Sequence, residues 1–152
     1  MSDGTRDGTR DGTTDGTDDG TDGTPDRRLG LTVVHRRYVP YAQAHYAGNL
    51  VDGAYSLAAF GDVATEVCIR TDGDEGLFAS YSDVQFLAPV RAGDVLEVSA
   101  TVTRVGRRSR QVAFEARVVC RGRPDGPASA AEVLVPPLVA TTAVGTVVVP
   151  GP

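Results

Sequence analysis

The stretch His45-Tyr46-Ala47-Gly48-Asn49-Leu50-Val51-Asp52-Gly53 runs without a break into a long apolar pattern that ends Gly61-Asp62-Val63-Ala64-Thr65-Glu66. Leu50, Ala54, Leu57, Ala58, Ala64, Val67 and Cys68 keep the three-four spacing of one helical face. The spacing predicts a single helix from Leu50 to about Arg70, roughly 30 Å long. Asn49 is placed to cap its start, and Asp52 lies near the positive end of its dipole. Two acids, Asp62 and Glu66, sit inside the pattern one turn apart. A carboxylate beside core positions is costly to bury unless it is paired or used.

On either side of this helix the period changes from three-four to two. Residues 31–39 are dominated by β-branched and aromatic side chains and stop at Pro40, which predicts a strand. After the turn-forming run Thr71-Asp72-Gly73-Asp74-Glu75-Gly76 come three further strand patterns, 77–87, 95–105 and 110–121. Leu96, Val98, Ala100 and Val102 alternate with Glu97, Ser99, Thr101 and Thr103, and Val112, Phe114, Ala116 and Val118 alternate with Ala113, Glu115, Arg117 and Val119. The last two patterns form a hairpin whose apolar face needs a partner, and the helix is the long apolar element on offer. Residues 123–137 are Pro-rich and predict a long connection, and 138–149 a final strand with a bend at Gly145. One helix against a row of strands with one apolar face each is an α+β hotdog fold, an antiparallel sheet wrapped around one long central helix.

The first 26 residues belong to a different kind of chain. Asp-Gly-Thr recurs six times from Asp3 to Thr24, with no residue able to build a core, and predicts a disordered tail. Residues 27–152 then make a single domain of ordinary size. Eight Asp against Arg6 and Arg10 leave the tail at −6, while 13 Arg against 12 acids leave the rest at +1, so the overall charge of −5 belongs to the tail. The repeat lacks the ligand spacing of an EF-hand loop or of a calcium β-roll, and reads as a solvated linker. All 15 basic residues are Arg, a bias expected of a GC-rich bacterial genome rather than of a physical role.

A near-neutral domain without interleaved basic and aromatic residues gives no footprint for nucleic acid. Nor is there an apolar run of bilayer-spanning length or a secretory signal pattern, so a cytoplasmic protein is expected, with no membrane partner. Cys68 and Cys120 read as small buried hydrophobes rather than a disulfide, and with no zinc spacing no metal site is expected.

Several motifs in order make the reading narrower. Leu87-Ala88-Pro89-Val90-Arg91-Ala92-Gly93-Asp94 followed by Val105-Gly106-Arg107-Arg108-Ser109 resembles the strand-turn-strand of acyl-CoA hotdog enzymes. His45 to Ala54, Phe60 to Glu66, Asp72 to Phe78 and Phe114-Glu115-Ala116-Arg117 together resemble the β-aminoacyl-CoA ammonia lyases, along almost the whole domain. The resemblance implies a carbon-nitrogen lyase acting on β-alanyl-CoA or 3-aminobutyryl-CoA, with an enoyl-CoA as the other partner. It implies no cofactor beyond the CoA of the substrate, and at least a homodimer with sites between subunits.

Such an elimination must hold an enolate and move protons. Gly53, with Asp52 and Ala54, offers helix-start amides to the developing oxyanion, although the glycine equally suits tight helix-sheet packing. Asp62, Glu66 and His45 are the candidates for proton transfer. Glu66 has a competing reading as an ion pair with Arg70, and His45 one as a structural hydrogen-bonding group. Tyr46 and Asn49 are candidate substrate contacts, and Arg107, Arg108, Ser109 and Arg110 at the hairpin are candidates for the CoA phosphates. His35 and Glu115 read as structural or surface residues.

Two rivals stay open: an acyl-CoA thioesterase, and a noncatalytic acyl-CoA binder. Hotdog thioesterases often carry an acid about seven residues beyond the helix-start glycine pair, and that place here is Phe60.

Overall fold

The structure, a computed structural model, describes residues 23–151. The Asp-Gly-Thr tail up to residue 22 lies outside the described residues. Its last acid, Asp26, joins the domain by pairing with Arg28, whose Nη1 reaches Asp72 at 3.2 Å.

Strands β1 (Thr32–Tyr38), β4 (Leu77–Phe86), β5 (Val95–Val105), β6 (Ser109–Gly122) and β7 (Ala131–Val148) form one antiparallel sheet in the order β1-β5-β6-β7-β4. Helix α1 (Gly53–Asp72) lies across one face of it. The expected alternation holds: Leu96, Val98, Ala100, Val102, Val112, Ala116 and Val118 have almost no exposure, and they meet Ala59, Phe60, Val63, Ala64, Val67 and Cys68 of the helix in one core. Phe60 stacks on Phe114 at 5.0 Å between centroids.

On the sheet's other face Glu97 is bridged by Arg36 at 2.7 Å and by Arg117, across the registers Arg36–Glu97 and Glu97–Arg117. Hydrogen bonds from Arg117, then Arg36, hold its carboxyl below the usual range.

The helix begins later than its apolar pattern. Leu50–Val51 form a short strand, β3, paired with β2 (Ala44–Tyr46), and the cap is Asp52, whose Oδ1 accepts from the Tyr55 amide at 3.2 Å. Asn49 is not the cap. It sits in a turn at φ 60°, and its carbonyl accepts from Ala92 at 2.9 Å, so the chain is still extended where spacing alone continued the helix. The far end closes at Gly73, whose φ of 67° lets its amide reach the Ile69 carbonyl.

The last strand is longer than expected. It starts at Ala131 and takes in Pro136 and Pro137, leaving 123–130 as the connection; the prolines sit in a bulge of β7 itself, between the pairs Cys120–Val133 and Val118–Leu138. Gly145 is a close approach rather than a bend, because pairing with Val112 continues through it. A Cβ there would lie 2.5 Å from Phe78 and 2.7 Å from Phe114.

Candidate active site

A cavity of about 440 Å³ opens at the N-terminal end of α1. Its entrance segment is held by a chain of turn contacts. Asp94, buried, accepts from the Arg91 amide at 2.8 Å and from Arg121 at 2.8 Å, which fixes the loop 90–93. That loop in turn binds the helix-entry strand through Val51 N to Val90 O and Ala92 N to Asn49 O, both 2.9 Å. The helix start is thereby clamped between two loops before a single turn has formed.

Asp52, Gly53 and Ser56 of the helix line the cavity, facing Phe86, Leu87, Val90 and Thr141. Among the described residues none accepts from the amides of Gly53 or Ala54, which leaves free donors at the positive end of the helix dipole, where Gly53 lines the cavity. The Phe86 ring stands where a Cβ on Gly53 would be, 2.5 Å away, so the packing of helix against β4 requires the glycine. Asp52 divides its oxygens: Oδ1 caps the helix, and Oδ2 is 3.8 Å from His45 Nδ1. The His45 ring is 59% exposed and is met edge-on by Tyr46, another cavity residue.

Thus Asp52, Gly53, Tyr46 and His45 come together as the sequence suggested. Asn49 faces the neighbouring cleft with Arg91 and Asp94. Ser56 and Thr141 were not singled out by the sequence. Thr141 Oγ1 donates to Ser56 Oγ at 3.2 Å, with each residue 2% exposed. An unexplained Ser in the first turn of an apolar helix was the available signal for one of them. The aromatic residues Tyr55, Phe60, Phe78 and Tyr81 do not line the cavity. Phe60 is in the core, Phe78 and Tyr81 pack at 4.1 Å, and Tyr55 faces Arg37. Tyr81 donates to the Leu57 carbonyl at 2.8 Å, and burial pushes its phenol up to about 12.

Asp62 and Glu66 lie elsewhere on the chain. Helical rise puts them about 14 and 20 Å along the axis from Gly53. The Asp62 carboxylate is 61% exposed and accepts from Arg37 at 2.7 Å. Glu66 accepts from Arg70 at 2.7 Å and pairs with His35 Nε2 at 2.5 Å; these bonds, His35 first, lower its pKa. His35, read as structural, is held by this pairing.

The hairpin arginines divide. Arg107 and Arg108 are exposed, with Ser109 half-buried beside them. Arg110 is 1% exposed: Nε reaches Asp72 at 2.9 Å, Nη2 also meets Asp72, and Nη1 serves the carbonyls of Gly106 and Ser109 at 2.8 and 2.7 Å. The expectation that Arg110 meets phosphate fails, because its donors are used to bind the hairpin to the C-terminal end of α1. That end is a helix length, about 30 Å, from the cavity.

Comparison with known proteins agrees with this architecture. The thioesterase superfamily profile matches residues 48–124. A 3-aminobutyryl-CoA ammonia lyase from Acetoanaerobium sticklandii is 55% identical over 107 residues, covering 70% of this chain and 85% of that protein. The structure of β-alanyl-CoA:ammonia lyase from Clostridium propionicum superposes with a TM-score of 0.75 at 37% identity, covering 80% of this chain and 86% of that one. A hexameric thioesterase from Yersinia pestis, 20% identical over 80% of this chain and 88% of its own, shares the fold with a TM-score of 0.62. With the helix, the sheet and these similarities in agreement, the chain belongs to the thioesterase superfamily of hotdog proteins and, within it, to the family of the β-aminoacyl-CoA ammonia lyases.

Proposed function

We propose that this protein is a carbon-nitrogen lyase that reversibly eliminates ammonia from a short β-aminoacyl-CoA, 3-aminobutyryl-CoA or β-alanyl-CoA, to give the enoyl-CoA. The observation that carries the reading at the level of chemistry is the cavity at the helix start, with free amides at one side and the His45–Asp52 pair at its mouth. The thioester carbonyl oxygen takes the amides of Gly53 and Ala54, which stabilise the enolate. His45, oriented by Asp52, removes the α-proton. The electron pair left on the α-carbon forms the double bond as the β-carbon–nitrogen bond breaks, and the nitrogen departs as ammonia with that bond's electrons. Addition runs the same steps backward. Nothing in this scheme calls for a cofactor beyond the CoA that the substrate carries, and a CoA ester substrate suits a cytoplasmic enzyme.

A thioesterase acid seven residues beyond Gly53 has no counterpart here, because Phe60 is fully buried in the core. This favours the lyase over the hydrolase. The cavity mouth exposes Tyr46, Phe86 and Leu87 at 56–60%, beside β4, which is an edge strand of the sheet. We propose that a second copy covers this rim, making at least a homodimer. Asp62, Glu66 and the hairpin residues Arg107, Arg108 and Ser109 would then enter the chemistry or CoA binding only where the second copy carries them to the cavity.

The test incubates the protein with each β-aminoacyl-CoA and follows ammonia, enoyl-CoA and free thiol by mass spectrometry in one time course. Ammonia and enoyl-CoA rising together with the thioester intact is the expected result. Free thiol without ammonia makes the protein a thioesterase, and bound ester without either product makes it a binder.

A further inference from the structure

We propose that the hydroxyls of Ser56 and Thr141 seat the substrate's β-ammonium group and thereby select amino esters; this rests on the lyase reading above. The two hydroxyls are buried, hydrogen-bonded to each other at 3.2 Å, and both line the cavity. Around them the walls are apolar: Leu50, Val51, Phe86, Leu87, Pro89 and Val90. The cavity's one carboxylate, Asp52, gives an oxygen to the Tyr55 amide and faces His45 with the other.

Position and chemistry both fit. Ser56 lies three residues beyond Gly53, one turn deeper, a rise of about 4.5 Å. In a β-aminoacyl thioester the carbonyl oxygen and the nitrogen are four bonds apart, O=C, C–Cα, Cα–Cβ and Cβ–N, a span of the same order. With the oxygen at the helix-start amides, the nitrogen therefore falls at the level of the hydroxyls. An ammonium entering an apolar cavity must regain acceptors for its three N–H bonds. Thr141 Oγ1 keeps two lone pairs after donating to Ser56, and Ser56 Oγ keeps one after accepting, so the pair offers three. These acceptors are neutral. They satisfy the cation without a fixed counter-charge, which would oppose its departure as ammonia.

The enoyl thioester has no amine, so the hydroxyls act on nitrogen alone. The experiment measures, in the amination direction, separate KM values for ammonia and for the enoyl-CoA in wild type, Ser56→Ala, Thr141→Val and Thr141→Ser. The expected result is a KM for ammonia raised about 3- to 10-fold in Ser56→Ala and Thr141→Val, the loss of a hydrogen bond to the neutral nucleophile that adds. KM for the enoyl-CoA stays within about twofold, and Thr141→Ser restores the ammonia value. An unchanged KM for ammonia, or both KM values rising together, overturns the proposal, since a merely structural hydroxyl pair would disturb both substrates alike. Wild-type protein that neither releases nor adds ammonia sinks the lyase reading and this inference with it, a result distinct from wild-type turnover with an unmoved ammonia KM.

Discussion

Replacing Arg110 by Ala separates the two roles that an arginine at this hairpin can have. The side chain is 1% exposed and makes hydrogen bonds to Asp72 through Nε and Nη2 and to two backbone carbonyls through Nη1. Breaking a buried ion pair from one side costs about 3–5 kcal/mol. The low end applies, because Asp72 remains 14% exposed and keeps Arg28 at 3.2 Å and Thr71 at 2.6 Å. A loss of about 3 kcal/mol lowers Tm by roughly 10 °C for a domain of this size. Because the cavity is at the other end of the helix, kcat and KM measured below the transition should stay within about twofold of wild type.

The pH dependence has a definite sign. Burial pushes the Asp72 carboxyl up, but hydrogen bonds from Arg110, Thr71 and Arg28 outweigh it, and the net pKa is lowered. A carboxylate depressed by folding stabilises above its unfolded pKa, about 3.9, and loses that contribution as pH falls through the folded value. The gap in Tm between wild type and Arg110→Ala is therefore constant from neutrality to about pH 5 and closes in stronger acid. Differential scanning calorimetry at pH 7, 5 and 3, with steady-state kinetics at pH 7, makes the comparison. An unchanged Tm with a raised KM for the CoA ester would refute the structural role and return Arg110 to the phosphates.

Other outcomes follow from the same geometry. Gly53→Val places a branched side chain against the Phe86 ring and over the open amides, so kcat should fall about 10²- to 10³-fold, while circular dichroism still shows the folded protein. If sites are shared between copies, mixing inactive His45→Ala with inactive Asp62→Asn regains activity, because a mixed dimer holds one site with both residues intact; no recovery after co-refolding places both in one chain or leaves Asp62 out. Deleting residues 1–22 should leave kcat and Tm unchanged, checked by the same two assays.

The period of the apolar residues made the helix and the hairpin legible, since each buries one side and therefore writes its own repeat into the sequence. Leu96 to Val102 and Val112 to Val118 fell on the inner face as expected. Boundaries set by hydrogen bonds outside the repeat were not legible. Leu50 and Val51 fit the helical spacing, yet the loop 90–92 captures their backbone in an extended form and moves the cap to Asp52. The prolines at 136 and 137 suggested a connection, but they fall in a stretch of β7 that bulges away from β6, between the pairs Cys120–Val133 and Val118–Leu138, and the ladder resumes beyond them. At the site, His45, Tyr46, Asp52 and Gly53 were legible because they adjoin in sequence. Thr141 was not, because the sheet alone brings it to Ser56, 85 residues away.

The same reasoning explains why the acids and arginines were grouped too generously. A charged residue at helical spacing can be assigned to a side of the helix, but its distance from the chemistry depends on its position along the axis. Over the 20 residues of α1 that distance reaches about 30 Å. The chain uses the two ends for different work. At the C-terminal end Asp72 is locked by Arg110 and Arg28, so charge there stabilises the fold. At the N-terminal end Gly53 and Ala54 keep their amides open, and the polar groups that line the cavity are left beside apolar walls. Hydrogen-bonding capacity is saturated where the helix must be held and kept in reserve at its start, which is why the proposed reading gives the carbonyl to the N-terminal cavity and the amine to the hydroxyls one turn inward.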